Sequence, residues 1–315
     1  MMETVTVRNP YWLGIAVALC ALAMGCGDRK SPAASVPERT FATPEDAVTA
    51  LVAAAERFDV PELKAILGPE GEPLVASADT VADRNTAAAF AAEARVQQRL
   101  EFNPDRTSAI LNVGAEDWPM PIPIVERNGA WYFDAAAGKE EVLRRRIGQN
   151  ELDAIAVCLG FVEAEREYAL ERHDGSLLNQ YAQRVISTPG KQDGLAWQAA
   201  DGTWEGPVGE NIARVIAEGY TDRSQPFHGY YYKVLKGQGP DAPLGEMDFM
   251  VEGAMIGGFA LVAAPAEYGV TGIQTFIVSW EGVVYEKDLG DTTLESFRAM
   301  ELYNPDSTWT RVTQP

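Results

Sequence analysis

The chain has 315 residues, of which 46% are hydrophobic and 23% are charged, and its formal net charge is −20 at neutral pH. This hydrophobic content is typical of a globular protein and excludes a wholly disordered chain. The acidic balance argues against binding to nucleic acid and to anionic membrane surfaces, because both need clustered Lys and Arg.

The first residues read as an export signal. Residues 11–24 form an apolar run that follows Arg8 and ends before Gly25 and Cys26. A run of this length is too short for a comfortable membrane span and is typical of a signal peptide. Small residues directly before a Cys resemble the lipobox of bacterial lipoproteins. We therefore expect a signal peptide over residues 1–25, lipidation of Cys26 and export to the cell envelope. A cleaved soluble signal and an uncleaved anchor are the alternatives.

The segment that follows, up to residue 40, is rich in Pro, Ser and Ala and has no apolar periodicity, so residues 26–40 are predicted to be a disordered tether. The chain has three Cys, of which Cys20 lies in the signal and Cys26 is the expected lipid site. Cys158 is then left without a disulfide partner, and its apolar surroundings in the sequence predict a buried thiol.

Helices are predicted first along the remaining chain. Thr43 and Pro44 are typical of a helix start, and apolar residues recur at helical spacing up to Phe58. A second short helix should begin at Asp59 and stop at Gly68, and the Ala-rich residues 87–98 predict a third.

An antiparallel meander is predicted next. Residues 99–102 and 107–113 flank an Asn-Pro-Asp turn, and residues 122–126 and 130–134 flank Asn128-Gly129, a hairpin signal. The fold class is therefore α+β, with a first domain over residues 41–138. The order of helices and strands is similar to that of small nuclear-transport-factor-2-like domains, as a fold analogy only.

A long helix is predicted over residues 139–171, with Leu143, Ile147, Leu152, Ile155, Ala156, Leu159 and Val162 on its apolar face. A short helix over residues 212–218 and strands over 230–235, 259–264, 275–280 and 283–288 follow, before a closing helix over 292–300. We expect a second α+β domain over residues 139–315, in which the long helix packs on an antiparallel sheet.

Several motifs together resemble the bacterial domain-of-unknown-function family 2950. They are Trp118-Pro-Met-Pro-Ile-Pro, Gly129-Ala-Trp131-Tyr-Phe-Asp134, Arg145-Arg146-Ile-Gly-Gln-Asn150-Glu151, Ser187-Thr-Pro-Gly190, His228-Gly-Tyr230 and Gly257-Gly-Phe-Ala-Leu-Val. The resemblance covers nearly all of residues 41–310 and implies an exported or envelope protein, with no established activity and no catalytic residue. A weaker resemblance links the C-terminal half to pilin and pseudopilin head domains.

Two groups of residues are candidates for a ligand or partner surface. His228, Tyr230, Tyr231 and Tyr232 combine apolar bodies with polar tips, which suits a binding surface, although neighbouring residues of a strand face opposite ways. Arg145 and Arg146 could hold an anion, or could pair locally with Glu140, Glu141 and Glu151. Glu163 and Glu167 fit a solvated helix face better than an acid–base pair.

No cofactor, metal site or catalytic residue is expected, because no nucleophile has an evident base and orienting partner in the sequence. The sequence therefore favours a lipid-anchored, non-enzymatic envelope protein that acts as a scaffold or accessory factor. Its expected partners are the membrane, through the lipid, and another envelope protein. The alternative is a periplasmic hydrolase or small-ligand-binding protein with a pocket near His228 and the seam between the two domains.

Overall fold

The computed structural model of the protein describes residues 39–220 and 224–313. The predicted signal peptide, Cys26 and all of the predicted tether up to residue 38 lie outside the described residues. In the described part of the chain, no helix is both long and apolar enough to cross a membrane.

Four helices precede the first sheet: α1 (Pro44–Glu56), α2 (Val60–Leu67), α3 (Glu72–Val75) and α4 (Thr80–Val96). The predicted starts of α1 and α2 are confirmed, because Thr43 Oγ1 and Asp59 Oδ1 accept the N–H groups of Asp46 and Glu62 as side-chain caps. The Ala-rich helix predicted over residues 87–98 is α4, and it begins earlier than predicted. Asp79 caps it by accepting the Ala82 N–H at 2.9 Å, so it starts at Thr80.

The first sheet is the predicted antiparallel meander. It contains β1 (Gln98–Phe102), β2 (Ser108–Val113), β4 (Ile124–Arg127) and β5 (Ala130–Phe133) in that order, with β3 (Trp118–Pro119) beside β2. Asn128 and Gly129 have φ values of 56° and 80°, which is the type I′ turn expected between β4 and β5. Helices α1, α2 and α4 pack on this sheet around one apolar core.

A single helix, α5 (Ala135–Tyr168), runs 34 residues and belongs to both halves of the structure. It starts before the predicted residue 139 because Asp134 caps it, accepting the Ala137 N–H at 3.2 Å. Its first turns contact α3 and the 3₁₀ turn Pro69–Gly71, and its later turns contact three strands of the C-terminal half. At 1.5 Å per residue, the helix is about 50 Å long.

The predicted apolar face of α5 is wrong at Leu152 and Ala156, whereas Val162 is buried and Ile155 and Leu159 pack partly against the core. The buried residues in its second half are Ala154, Cys158, Phe161, Val162, Ala164, Glu165 and Tyr168. Leu152, in contrast, is 57% exposed, and Ala156 is also exposed. The helix is apolar on two sides, and the narrow Ala154–Cys158 side approaches the sheet because its small side chains allow close packing.

The C-terminal half is built on a second sheet. Its strands are β8 (Tyr230–Leu235), β13 (Ala260–Pro265), β14 (Gln274–Ser279), β15 (Val284–Asp288) and β16 (Thr310–Arg311). They are all antiparallel, in the order β16-β15-β14-β13-β8. Helix α5 covers one face of this sheet, and α7 (Thr293–Ala299) contacts β13.

Short elements make up the rest of this half. They are β6 (Trp197–Gln198), β7 (Trp204–Glu205), α6 (Gly209–Ala217), β9 (Gly237–Gln238), β10 (Met247–Asp248), β11 (Met250–Val251), β12 (Ala254–Met255) and the 3₁₀ turn Gly290–Thr292.

Helices and antiparallel sheets together confirm the α+β class. Two clusters of buried apolar residues are present, one within residues 41–135 and one within residues 154–303. The described residues nevertheless form one compact unit, and the predicted boundary at residue 138 falls in the first turn of α5. The division into two domains and the likeness to nuclear-transport-factor-2-like and pilin-head folds stay predictions.

Candidate functional site

The candidate site is centred on a tight turn just before β8. Phe227 and Tyr230 exchange two backbone hydrogen bonds, of 2.8 and 3.1 Å, across His228 and Gly229. Both turn residues have positive φ, 49° for His228 and 75° for Gly229. These values fit a type I′ turn, which holds the His228 ring at the surface beside the first residue of β8.

The imidazole of His228 lies between two carboxylates. Its Nδ1 is 2.9 Å from Asp153 Oδ2 on α5, and its Nε2 is 4.0 Å from Glu218 Oε2 at the end of α6. The ring and both carboxylate side chains are roughly a third exposed. When Nδ1 carries the proton and donates to Asp153, Nε2 is an acceptor that faces Glu218 and solvent. In that tautomer the arrangement can accept a hydrogen bond from a donor at Nε2.

Asp79 connects this turn to the start of α4. Its side chain is buried, and Oδ2 accepts both the Tyr220 hydroxyl at 3.0 Å and the Gly229 N–H at 2.8 Å. Burial and the adjacent carboxylate of Asp79 raise the pKa of Tyr220, so its hydroxyl stays protonated as the donor. Two donors from distant parts of the chain thus converge on one carboxylate, whose other oxygen caps α4.

A second buried polar group lies beside Asp79. The Arg146 guanidinium donates to the carbonyl oxygens of Pro73 and Leu74, at 2.9 and 2.7 Å, and lies 3.8 Å from Asp83 Oδ1. Burial lowers the pKa of Arg146 and raises that of Asp83, which also accepts hydrogen bonds from Ser77. Arg146 therefore holds the α3 segment rather than presenting its charge to solvent.

Arg145 points away from this group. Its guanidinium pairs with Glu141, as that of Arg144 does, and lies 4.7 Å from the centre of the Trp118 ring. The local ion-pair network is therefore found at Glu141. Glu151 is not part of it, because its Oε1 accepts the N–H groups of Ile273 and Gln274 instead.

The three tyrosines divide between the two faces of the sheet, as strand geometry requires. Tyr230 is fully buried and donates to the Gln274 carbonyl at 2.9 Å. The Tyr232 hydroxyl is also buried and has no partner among the described residues, and burial raises the pKa of both phenols. Tyr231 lies on the other face, where its ring stacks on Phe297 of α7. The tyrosines therefore contribute mainly to the core.

The residues that surround His228 were not singled out from the sequence. Asp153 lies within the helical pattern, and Glu218 and Tyr220 follow α6 in a loop. Only Asp79 has a local signal, because it directly precedes the helix that it caps. Asp153 is distant from His228 in the sequence, so no spacing rule brings the two together.

Two grooves lie elsewhere on the surface. One of about 450 Å³ runs between α5 and the β15–β16 edge, lined by Ile155, Gly282, Val283, Val284, Arg311, Val312 and Thr313. Another, of about 290 Å³, lies near Arg127 and Asp134. Within residues 39–220 and 224–313, no group of three or more His, Cys, Asp or Glu side chains has an arrangement that could hold a metal ion.

Comparison with known proteins places the chain in a family. The model of the family described as "Protein of unknown function (DUF2950)" matches residues 38–312, which is most of the chain. No curated protein and no solved structure matches it. Arg146, Glu151, His228 and Gly229, all from motifs that carry the resemblance, each form a hydrogen bond to a distant segment of the chain. The chain therefore belongs to the DUF2950 family.

Proposed function

We propose that the protein is a lipid-anchored envelope protein that acts as a scaffold or accessory factor outside the cytoplasm, and not as an enzyme. The observation that carries this proposal is the use of the buried polar groups. The Asp79 carboxylate and the Arg146 guanidinium both bind backbone or side-chain groups of other segments, and so hold the turn at His228 and the α3 segment in place. Such groups make a rigid body that presents its surface to a partner.

The anchor is supported by the sequence around Cys26 and is tested there. Cells expressing wild-type or Cys26→Ala protein are fractionated, and the intact mass of the purified protein is measured. The wild type should partition with membranes and carry the mass of a lipid on Cys26, whereas Cys26→Ala should be released or left unprocessed. Cys20→Ala is the matched control and should behave as wild type. An unmodified mature N-terminus in the wild type would contradict the anchor.

The second candidate function is a periplasmic hydrolase or small-ligand-binding protein. The contact between His228 Nδ1 and Asp153 Oδ2 favours it, because a carboxylate that orients an exposed imidazole is an arrangement used in general-base catalysis.

A thermal-shift screen against metals, sugars and peptidoglycan fragments separates the two functions, since a bound ligand raises the unfolding midpoint by mass action. A ligand that stabilises the wild type and Glu140→Gln, but not His228→Gln or Asp153→Asn, would favour the second candidate. On the scaffold proposal, the phenotype of a His228→Gln strain follows only the abundance of the protein. Loss of a measurable turnover in a folded, abundant His228→Gln protein would overturn the non-enzymatic proposal.

A further inference from the structure

Helix α5 has an apolar band on its solvent side that residues 39–220 and 224–313 leave uncovered. Leu152 is 57% exposed at its centre, Ala156 and Gly160 are exposed, and Ile155 and Leu159 are half-buried. A Cβ atom added at Gly148 or Gly160 would meet no atom within 4 Å, so the backbone is open to close approach at both ends of the band. Ile155 also lines the groove of about 450 Å³ next to the helix, which extends the apolar surface toward Val283 and Val312.

Opposite charges flank this band. Arg144 and Arg145 lie on its N-terminal side, and Glu163 and Glu167 on its C-terminal side. Arg145 and Glu163 are 18 residues apart, which is about five helical turns, so the two side chains leave the helix in the same direction. Glu163 and Glu167 are exposed, and neither forms an ion pair with another described residue.

We propose that this face of α5 binds the same face of a second copy of the chain, with the two helices antiparallel about a twofold axis near residue 154. In this arrangement Arg145 of one protomer opposes Glu163 of its partner, Leu152 opposes Ala156, and Gly148 opposes Gly160. A twofold interface must be complementary to itself, and the order of charges along α5 meets this condition.

The charge pattern favours a second copy in this one orientation. A parallel pair would place Arg145 opposite Arg145 and Glu163 opposite Glu163, and like charges across an interface oppose association. With a net charge of −20, one chain repels another over most of its surface. Arg144 and Arg145 share one carboxylate, that of Glu141, so positive charge remains beside the apolar band for a second copy to meet. Small residues opposite one another also permit the interaxial distance of about 8–10 Å that packed helices need.

The first test measures the mass of the full chain by light scattering during size-exclusion chromatography, in detergent if the protein is lipidated. We expect twice the mass of one chain. Leu152→Gln should weaken the dimer about tenfold or more, because it removes a large apolar side chain from the centre of the contact. Leu177→Gln, at a side chain that is 87% exposed in a loop, is the matched control and should leave the dimer unchanged.

Charge reversal tests the antiparallel orientation. Glu163→Arg and Arg145→Glu should each produce monomers, and the double variant should restore the dimer. Because Arg145 also pairs with Glu141, circular dichroism must show that each variant is folded. If Arg145→Glu does not fold, the oligomeric state of Glu163→Arg alone decides the orientation. The proposal would be overturned if the wild type were monomeric, or if Leu152→Gln or Glu163→Arg formed a dimer of wild-type affinity. It would also be overturned if the double variant folded but stayed monomeric. None of these results depends on lipidation or on the envelope function.

Discussion

The carboxylate of Asp79 accepts the backbone N–H of Gly229, 150 residues further along the chain, at 2.8 Å. The same oxygen accepts the Tyr220 hydroxyl, and the other oxygen caps α4. One buried side chain therefore joins the helices of the N-terminal half to the turn that carries His228. This contact makes the geometry of the candidate site depend on both halves of the protein.

Asp79→Ala should lower the free energy of unfolding by about 3–5 kcal/mol, because a helix cap is lost and two buried donors are left without an acceptor. Urea unfolding followed by circular dichroism measures the effect. Asp105→Ala is the control, since Asp105 accepts similar hydrogen bonds in an exposed hairpin turn and should cost about 1 kcal/mol or less. Equal costs for the two variants would show that Asp79 does not link the two halves.

Gly229→Ala and Gly175→Ala separate backbone strain from steric contact. Both glycines have positive φ, 75° and 71°, so alanine should cost about 1–2 kcal/mol at either position. At Gly229 the new Cβ would also lie 2.5 Å from Asn150 Nδ2 and 3.0 Å from Thr271 Cβ, whereas nothing lies within 4 Å of it at Gly175. Chemical denaturation should therefore find Gly229→Ala clearly less stable than Gly175→Ala. Similar stabilities would mean that the turn is not packed against α5.

Glu165 should make the protein less stable as the pH rises. Its side chain is fully buried, Oε2 accepts the Ala182 N–H at 2.7 Å, and Oε1 has no partner among the described residues. Burial raises the pKa of this carboxyl to about 9 from the ordinary value of 4.5. The native state thus keeps a proton that the unfolded state releases. The contribution of this proton to the free energy of unfolding is fully present below pH 4.5. It is lost as the pH rises toward 9, by about 1.4 kcal/mol per pH unit.

Glu165→Gln removes this dependence while keeping an acceptor for the Ala182 N–H. Relative to the wild type, the variant should become progressively more stable between pH 5 and pH 9, as measured by denaturant unfolding at several pH values. Glu140→Gln, at an exposed position on the same helix, should give no such trend. A constant difference between Glu165→Gln and the wild type would argue that Glu165 is ionised in the folded protein.

Cys158 should be inert in the folded protein. The thiol is completely buried, and burial raises its pKa to about 12, so very little thiolate is present at pH 8. Iodoacetamide should modify Cys158 in urea but not under native conditions, and peptide mass spectrometry would detect the difference. Rapid modification of the native protein would show that this part of α5 opens easily.

Local signals were sufficient for most elements. Thr43 and Asp59 mark helix starts through their side-chain caps, and Asn128-Gly129 marks a hairpin through its tolerance of positive φ. Strand β8 begins and ends where its β-branched and aromatic residues predict. These signals act between residues that are close in the sequence, which is why a single chain is enough to reveal them.

The orientation of α5 was not available from the same signals. Its sequence is apolar on two sides, and periodicity alone selected the side that contains Leu152 and Ala156. The structure buries the side of Ala154 and Cys158 instead, because the surface of the sheet accepts the shape of that side. The choice is a matter of packing between segments that are far apart in the sequence, and no local pattern records it.

The sequence by itself determined the α+β class, the family, most helix and strand positions, and the burial of Cys158, because hydrophobic periodicity, caps and turns are local. The tertiary structure alone decided which residues meet at the candidate site. His228 meets Asp153 of α5, and Asp79 meets Tyr220 and Gly229, only after α5 has packed on both halves of the protein. Hydrogen bonds between distant segments depend on position in space, which the sequence specifies only through the whole fold.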